Sequence, residues 1–181
     1  MERRQSAELA EQRRLAEQAA KKEMQRQLAV SRLRQAALVT APAWVAAMER
    51  EYAAAKVEVG EEKARAALEG EEDPSAGEPF EKKWAWQQQQ ARYAGDVEAS
   101  YFQKRYLAEL KSICHRYTAR IESAKLMRSM AAVEAEAEEE LAQVHSRAQV
   151  EVAEAQAEAR AVVGRRQTWE EHKQLALHAA Q

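Results

Sequence analysis

The residues that could do chemistry are few. His115, His145, His172 and His178 form no His-Glu-x-x-His pair, no Glu-x-x-His of the di-iron type, and have no second ligand at helical spacing. Cys114 is the single cysteine, which excludes an internal disulfide and a cysteine-built zinc site. His115 beside it could act as base to a thiol nucleophile, but adjacent residues on a helix point about 100° apart and do not face each other. The five glycines make no GxxxxGK[ST] or GxGxxG arrangement, so no phosphate-cradling loop is built. The expectation is a protein that is not an enzyme and uses no metal and no cofactor.

Binding character is concentrated between residues 80 and 120. Lys82, Lys83, Trp84, Trp86, Arg92, Tyr93, Tyr101, Phe102, Lys104, Arg105, Tyr106, Arg116, Tyr117 and Arg120 interleave cations with aromatic rings. Cations attract phosphates or carboxylate-rich surfaces, and aromatic faces stack on bases or bury as interface anchors. Most of these aromatics share the helix stripe described next, which assigns them to a core against residues 43 to 69. Partner binding falls to Lys82, Lys83, Trp84, Trp86, Arg92, Lys104 and Arg105, joined by Trp169 because tryptophan is enriched among interface hot spots.

The element that must position these groups runs from Val97 to Val163, without a Pro or a Gly. As one continuous helix it would be about 100 Å long. Phe102, Tyr106, Leu110, Ile113, Tyr117, Ile121 and Ala124 follow at steps of three and four, with Lys104, Lys111 and Arg116 opposite. The spacing continues through Leu141, Val144, Ala148, Val152, Ala155, Ala159 and Val163, now in small residues. These steps average nearer to about 3.67 than 3.5 residues, so an eleven-residue repeat fits at least as well as a heptad.

Around this centre the chain divides at its turn residues. Residues 1 to 69 read as an N-terminal helical arm, with a thin seam of Leu9, Ala16, Ala20, Met24, Leu28 and Ser31 and a break near 40 to 42, where Thr40 would cap and Pro42 would open the next helix. The second helix carries Trp44, Met48, Tyr52, Ala55 and Val59, with Gly60 as a weak point. Residues 70 to 79, GEEDPSAGEP, form the linker, and Pro79 can begin the helix that follows. The long central helix spans 80 to 163 with a softer break at Gly95 and Asp96, where either Asp96 caps a restarted helix or the chain kinks. Gly164 then stops it, and Thr168 and Glu171 form a capping box for a short helix within 164 to 181.

Composition supports this reading. Hydrophobic residues make up 46% of the chain, yet roughly forty of them are Ala, which favours helix more than it fills a core. With two Phe, five Gly and three Pro there is little material for strands and turns. The fold class is therefore all-α: extended long helices in an antiparallel helical hairpin or coiled-coil rod, with little globular core.

Charge is distributed in blocks: +4 over residues 1 to 40, −6 over 41 to 79, +5 over 80 to 130, −6 over 131 to 163 and +1 over 164 to 181. Folding back at 70 to 79 would set the acidic second helix beside the basic start of the long one. In the acidic block, Glu134 and Glu138, Glu136 and Glu140, and Glu154 and Glu158 are like charges four residues apart, a spacing that weakens an isolated helix. That face is either solvated or meets a basic partner.

Function at this stage is an expectation from shape and charge. No apolar run approaches the roughly 20 residues of a membrane span. The N-terminal stretch is too acidic for a transit peptide, which makes a reducing, cytosolic setting the default. The balanced net charge of −2 counts against a coat for nucleic acid. A non-enzymatic structural protein follows, one that staples subunits of a large assembly. The cytoskeleton is favoured, with microtubules of a cilium or flagellum as the site and acidic tubulin as the partner. The alternatives are an accessory subunit of a ribosome-like ribonucleoprotein, with residues 80 to 128 on phosphate, and a self-associating coiled-coil tether.

Overall fold

The computed structural model describes residues 2–70 and 80–179. It is all-α: α1 spans Glu2–Gln35, a π-helical segment Ala36–Thr40, α2 Ala41–Glu69, α3 Phe80–Ser123 and α4 Met127–Ala179. No strand occurs among the described residues, as expected of a chain so rich in Ala and so poor in β-branched residues. No described helix is long and apolar enough to cross a membrane. The linker at 71–79, including Pro79, lies outside the described residues. Packing divides the chain into two compact units, Met1–Ala43 with Ala108–Val144, and Trp44–Leu107 with His145–Gln181.

In the first unit the end of α3 and the start of α4 form an antiparallel hairpin. Arg120 pairs with Glu136 at 2.7 Å and Arg116 with Glu140 at 2.5 Å, so a step back along α3 matches a step forward along α4. Leu110, Ile113, Cys114, Tyr117 and Ile121 are buried from α3, Met130, Ala137 and Val144 from α4, and Ala29, Val30, Leu33, Ala37 and Ala41 from the N-terminal strand of helix. Arg32 of α1 holds Glu134 with a two-pronged bond, at 2.5 and 2.9 Å.

Three expectations are corrected here. The long helix does not run unbroken from 80 to 163, because residues 124 to 126 interrupt it. No Gly or Pro marks the site. The Ser123 hydroxyl donates to the Arg120 carbonyl at 3.0 Å, and the Arg26 guanidinium donates to the half-buried Ala124 carbonyl at 3.1 Å. These bonds satisfy carbonyls that a helix end leaves unpaired. The reversal brings basic α3 onto acidic α4, and tertiary pairing outweighs local helix preference. The seam of α1 is also different: Leu9, Met24 and Leu28 are exposed, and the buried face is the one carrying Ala29, Val30 and Leu33.

The third correction concerns the break near 40 to 42. The helix does not stop there; it widens. Ala41 N–H donates to the Ala36 carbonyl, five residues back. Pro42 has no N–H to donate, and its ring would crowd the Leu38 carbonyl in regular α geometry. A π turn supplies the extra room.

In the second unit α2 runs antiparallel to α3 and parallel to α4. Glu61 meets Arg92 at 3.6 Å, Lys56 meets Glu98 at 3.6 Å, and the Tyr52 ring stacks on Phe102 at 4.9 Å. Toward α4, Trp44 meets His145 with ring centroids 4.5 Å apart, and Glu62 meets Arg166 at 2.9 Å. Ala55, Val59, Ala155 and Ala159 form a buried cluster with Tyr52 and Val162 packed against it. Apart from Cys114 beside Ile113, the buried positions of α3, from Ala91 through Gly95, Ala99, Phe102, Tyr106, Leu110, Ile113, Tyr117 and Ile121, step by four, four and three. That is the eleven-residue repeat anticipated from the sequence.

The glycines act differently from expectation. Helix α3 continues through Gly95, where a Cβ would lie 2.6 Å from Val57 Cγ2 and 3.1 Å from the Val57 nitrogen. At Gly60 a Cβ would meet that of Ala91 at 3.1 Å. Both are places where α2 and α3 come close together, not weak points. Helix α4 likewise passes through Gly164, and no separate helix starts at Thr168. The Thr168 hydroxyl donates back to the Gly164 carbonyl at 3.0 Å instead of capping, and Arg166 ties this stretch to Glu62.

Gly95→Ala is expected to destabilise the fold by about 1–3 kcal/mol, the usual cost of overpacking. Gly164→Ala, with nothing within 4 Å of the new methyl, is expected to stabilise it by about 0.5–1 kcal/mol. Urea melts of the two variants beside the parent chain check both signs.

Candidate docking face

The sequence-predicted binding residues do not gather at one place; α3 turns some inward and some outward. Arg92 lies against Glu61, and the Trp84 ring sits under the Arg65 guanidinium at 5.2 Å. Arg105 pairs with Glu151 of α4 and lies over the Tyr106 ring at 4.8 Å. Tyr106 donates to the same Glu151 carboxylate at 2.9 Å. Arg92 and Arg105 are paired while remaining exposed, and Trp84 is half-buried. Lys83 is half-buried, while Lys82 and Lys104 are exposed. Trp86 is 57% exposed.

Two aromatics left out of the predicted set belong with the outward group. Tyr93 and Tyr101 are each 69% exposed, and Val97 lies between them, also exposed. Residues 82, 86, 93, 97, 101 and 104 fall within one stripe of the helix at 3.6 residues per turn, on the side opposite Ala91, Gly95, Ala99, Phe102 and Tyr106. No carboxylate occupies that stripe between its two lysines. The signal was available in the sequence as a second aromatic series, offset from the core series by about half a turn. The core series is the stronger pattern and masks it.

Trp169 lies on α4, away from this stripe. It is exposed, carries Lys173 over its ring at 5.0 Å, and borders an open cleft of about 460 Å³ with Glu62, Arg65, Val162 and Arg166. Among the described residues no group of three or more His, Cys, Asp or Glu is placed to hold a metal ion. Cys114 is buried, as a small apolar residue beside the core stripe would be.

The acidic block of α4 is not bare. Glu134, Glu136, Glu140, Glu151 and Glu158 meet Arg32, Arg120, Arg116, Arg105 and the pair Lys56 and Lys63. A hydrogen bond from Lys63, aided by the charge of Lys56, holds the Glu158 carboxyl below its ordinary value. Three phenols are pushed the other way. Burial raises Tyr52; burial and then the bond to Glu151 raise Tyr106; a bond to Glu140 and then burial raise Tyr117.

Comparison with protein-family models, with curated proteins and with solved structures finds no match to this chain. The functional reading therefore rests on the chain's own residues.

A phenol held neutral in the folded state adds stability that is complete below the ordinary tyrosine value of about 10 and is lost as pH rises through the raised folded value. A titration followed by tyrosinate absorbance is expected to show Tyr52, Tyr106 and Tyr117 ionising late, and the melting temperature should fall once pH passes about 10. Tyr106→Phe is expected to remove one late-ionising group from that curve.

Proposed function

We propose that the chain is a non-enzymatic helical staple that docks the outer stripe of α3 on an acidic protein surface within a large assembly. The observation that carries this reading is the outward set Trp86, Tyr93, Val97 and Tyr101, bracketed by Lys82 and Lys104, with exposed Asp96 at the edge of the stripe and no carboxylate within it. Exposed aromatic groups in line are unusual on a helix whose opposite side already supplies the core, and aromatic residues are enriched at interaction sites. The lysines supply charge complementarity to a carboxylate-rich partner and set orientation on approach.

The stripe covers about 33 Å along the helix, which suits a repeating lattice of subunits. Microtubules, as in a cilium or flagellum, are the assembly we put forward, since their subunits are acidic. A polyanion such as RNA is the weaker reading. It needs a basic track, and Arg92, Arg105, Arg116 and Arg120 are each paired with a carboxylate of the chain itself.

The test is co-sedimentation of the purified chain with microtubules over a range of salt. The parent chain should pellet at low salt and be released as salt rises. A Trp86→Ala, Tyr93→Ala, Tyr101→Ala triple variant is expected to bind about 30-fold or more weakly, as for loss of at least one hot spot of about 2 kcal/mol. Its urea melt should differ little from the parent. A parent chain that stays in the supernatant, or a triple variant that pellets equally, overturns the reading. A stable dimer that the triple variant dissolves would assign the stripe to self-association.

A further inference from the structure

Arg-Arg-Gln followed by a hydroxyl residue occurs twice in the chain, as Arg3-Arg4-Gln5-Ser6 and as Arg165-Arg166-Gln167-Thr168. Kinases that select two arginines ahead of the acceptor read them with carboxylates in the peptide groove, since guanidinium and carboxylate form strong charge-assisted forks. They also take the peptide in extended form. A usable copy must therefore be on the surface and must leave its helix at small cost. The two copies differ on both counts.

Ser6 lies in the opening turns of α1, which begins at Glu2, and every residue from Gln5 to Lys21 is exposed. Opening the helix over this stretch uncovers no buried side chain, and segments without buried contacts open locally at small cost. Thr168 lies well inside α4, eleven residues before its end at Ala179. Its hydroxyl is bonded to the Gly164 carbonyl at 3.0 Å. Its arginine at the second position before it, Arg166, is held by Glu62 of α2 at 2.9 Å and by Glu170 at 2.9 Å. Drawing that segment into a groove would break these bonds and open the helix from within.

We infer that Ser6 is a phosphorylation site for an arginine-directed serine/threonine kinase, and that Thr168, despite the same motif, is protected in the folded chain. The Ser6 Oγ attacks the γ-phosphorus of ATP, the bond from that phosphorus to the β–γ bridging oxygen breaks, and ADP leaves. The hydroxyl proton passes to the catalytic carboxylate of the kinase. The product places a charge of about −1.5 to −2 on the exposed surface of α1. It also reverses part of the +4 carried by residues 1 to 40.

The experiment treats the full chain with ATP and the catalytic subunit of a cyclic-nucleotide-dependent kinase, with sites mapped by mass spectrometry. Phosphate is expected on Ser6, absent in Ser6→Ala, and transferred about tenfold more slowly in Arg3→Gln or Arg4→Gln, the factor for losing one charge-assisted bond. Thr168→Ser removes any preference of the kinase for serine, and residue 168 should still remain unmodified. Circular dichroism of Ser6→Ala should match the parent. Absence of phosphate on Ser6, indifference to both arginine changes, or modification of residue 168 at a rate equal to that of Ser6 overturns the inference.

Discussion

An alanine-rich chain cannot build a core from side-chain bulk, so its helices must approach closely. Each buried Ala removes little surface from water, and what stabilisation there is depends on short distances between helix backbones. Gly95 and Gly60 show how far this goes in the second unit, where no methyl fits at Gly95 without meeting Val57. The bulky buried groups come mostly from α3, and α4 offers Ala137, Val144, Ala148, Val152, Ala155 and Ala159. Within each unit, large side chains on one helix and small ones on another fill the space between them.

Electrostatics then selects which helix lies beside which. Exposed ion pairs contribute only about 0.2–1 kcal/mol each, so they do not hold the fold by themselves. They discriminate among arrangements that an Ala-rich stripe alone would leave nearly equal. The acidic run of α4 receives arginines from α1 and α3 in the first unit, and from α2 and α3 a pair of lysines and Arg105 in the second. This resolves the like charges four residues apart. Glu134, Glu136, Glu140 and Glu158 each face a cation of another helix, which offsets the repulsion along their own.

Much of this was legible in the residues. The stripe from Phe102 to Ile121 is legible because bulky residues at steps of three and four have no other economical place than a core, and all six are buried. The α4 stripe follows the same rule. The face of α1 is not legible because Leu9, Met24 and Leu28 are sparse, and the choice between its faces belongs to the helices packed against Ala29, Val30 and Leu33. The reversal at 124 to 126 has no Gly or Pro to announce it, and its Ala124 carbonyl accepts from Arg26, almost a hundred residues earlier in the chain. Of the residues singled out in the sequence, Trp86, Lys82 and Lys104 are exposed. Arg92, Arg105 and Trp84 are not available in the same way, because a partner for each stands on a neighbouring helix. Residue type identifies a sticky group; only packing says which side of the helix it serves.

The four, four, three stepping of α3 also bears on how its length can change. Loss or gain of one residue turns every later side chain by about 100°, exchanging core positions for surface ones. Eleven residues make almost three whole turns in this repeat, so the faces return to register. A lineage of such chains could therefore lengthen or shorten this helix in increments of eleven while keeping the same residues inside, each increment moving the ends of the outer aromatic row by about 16 Å. Reach would then vary in discrete steps.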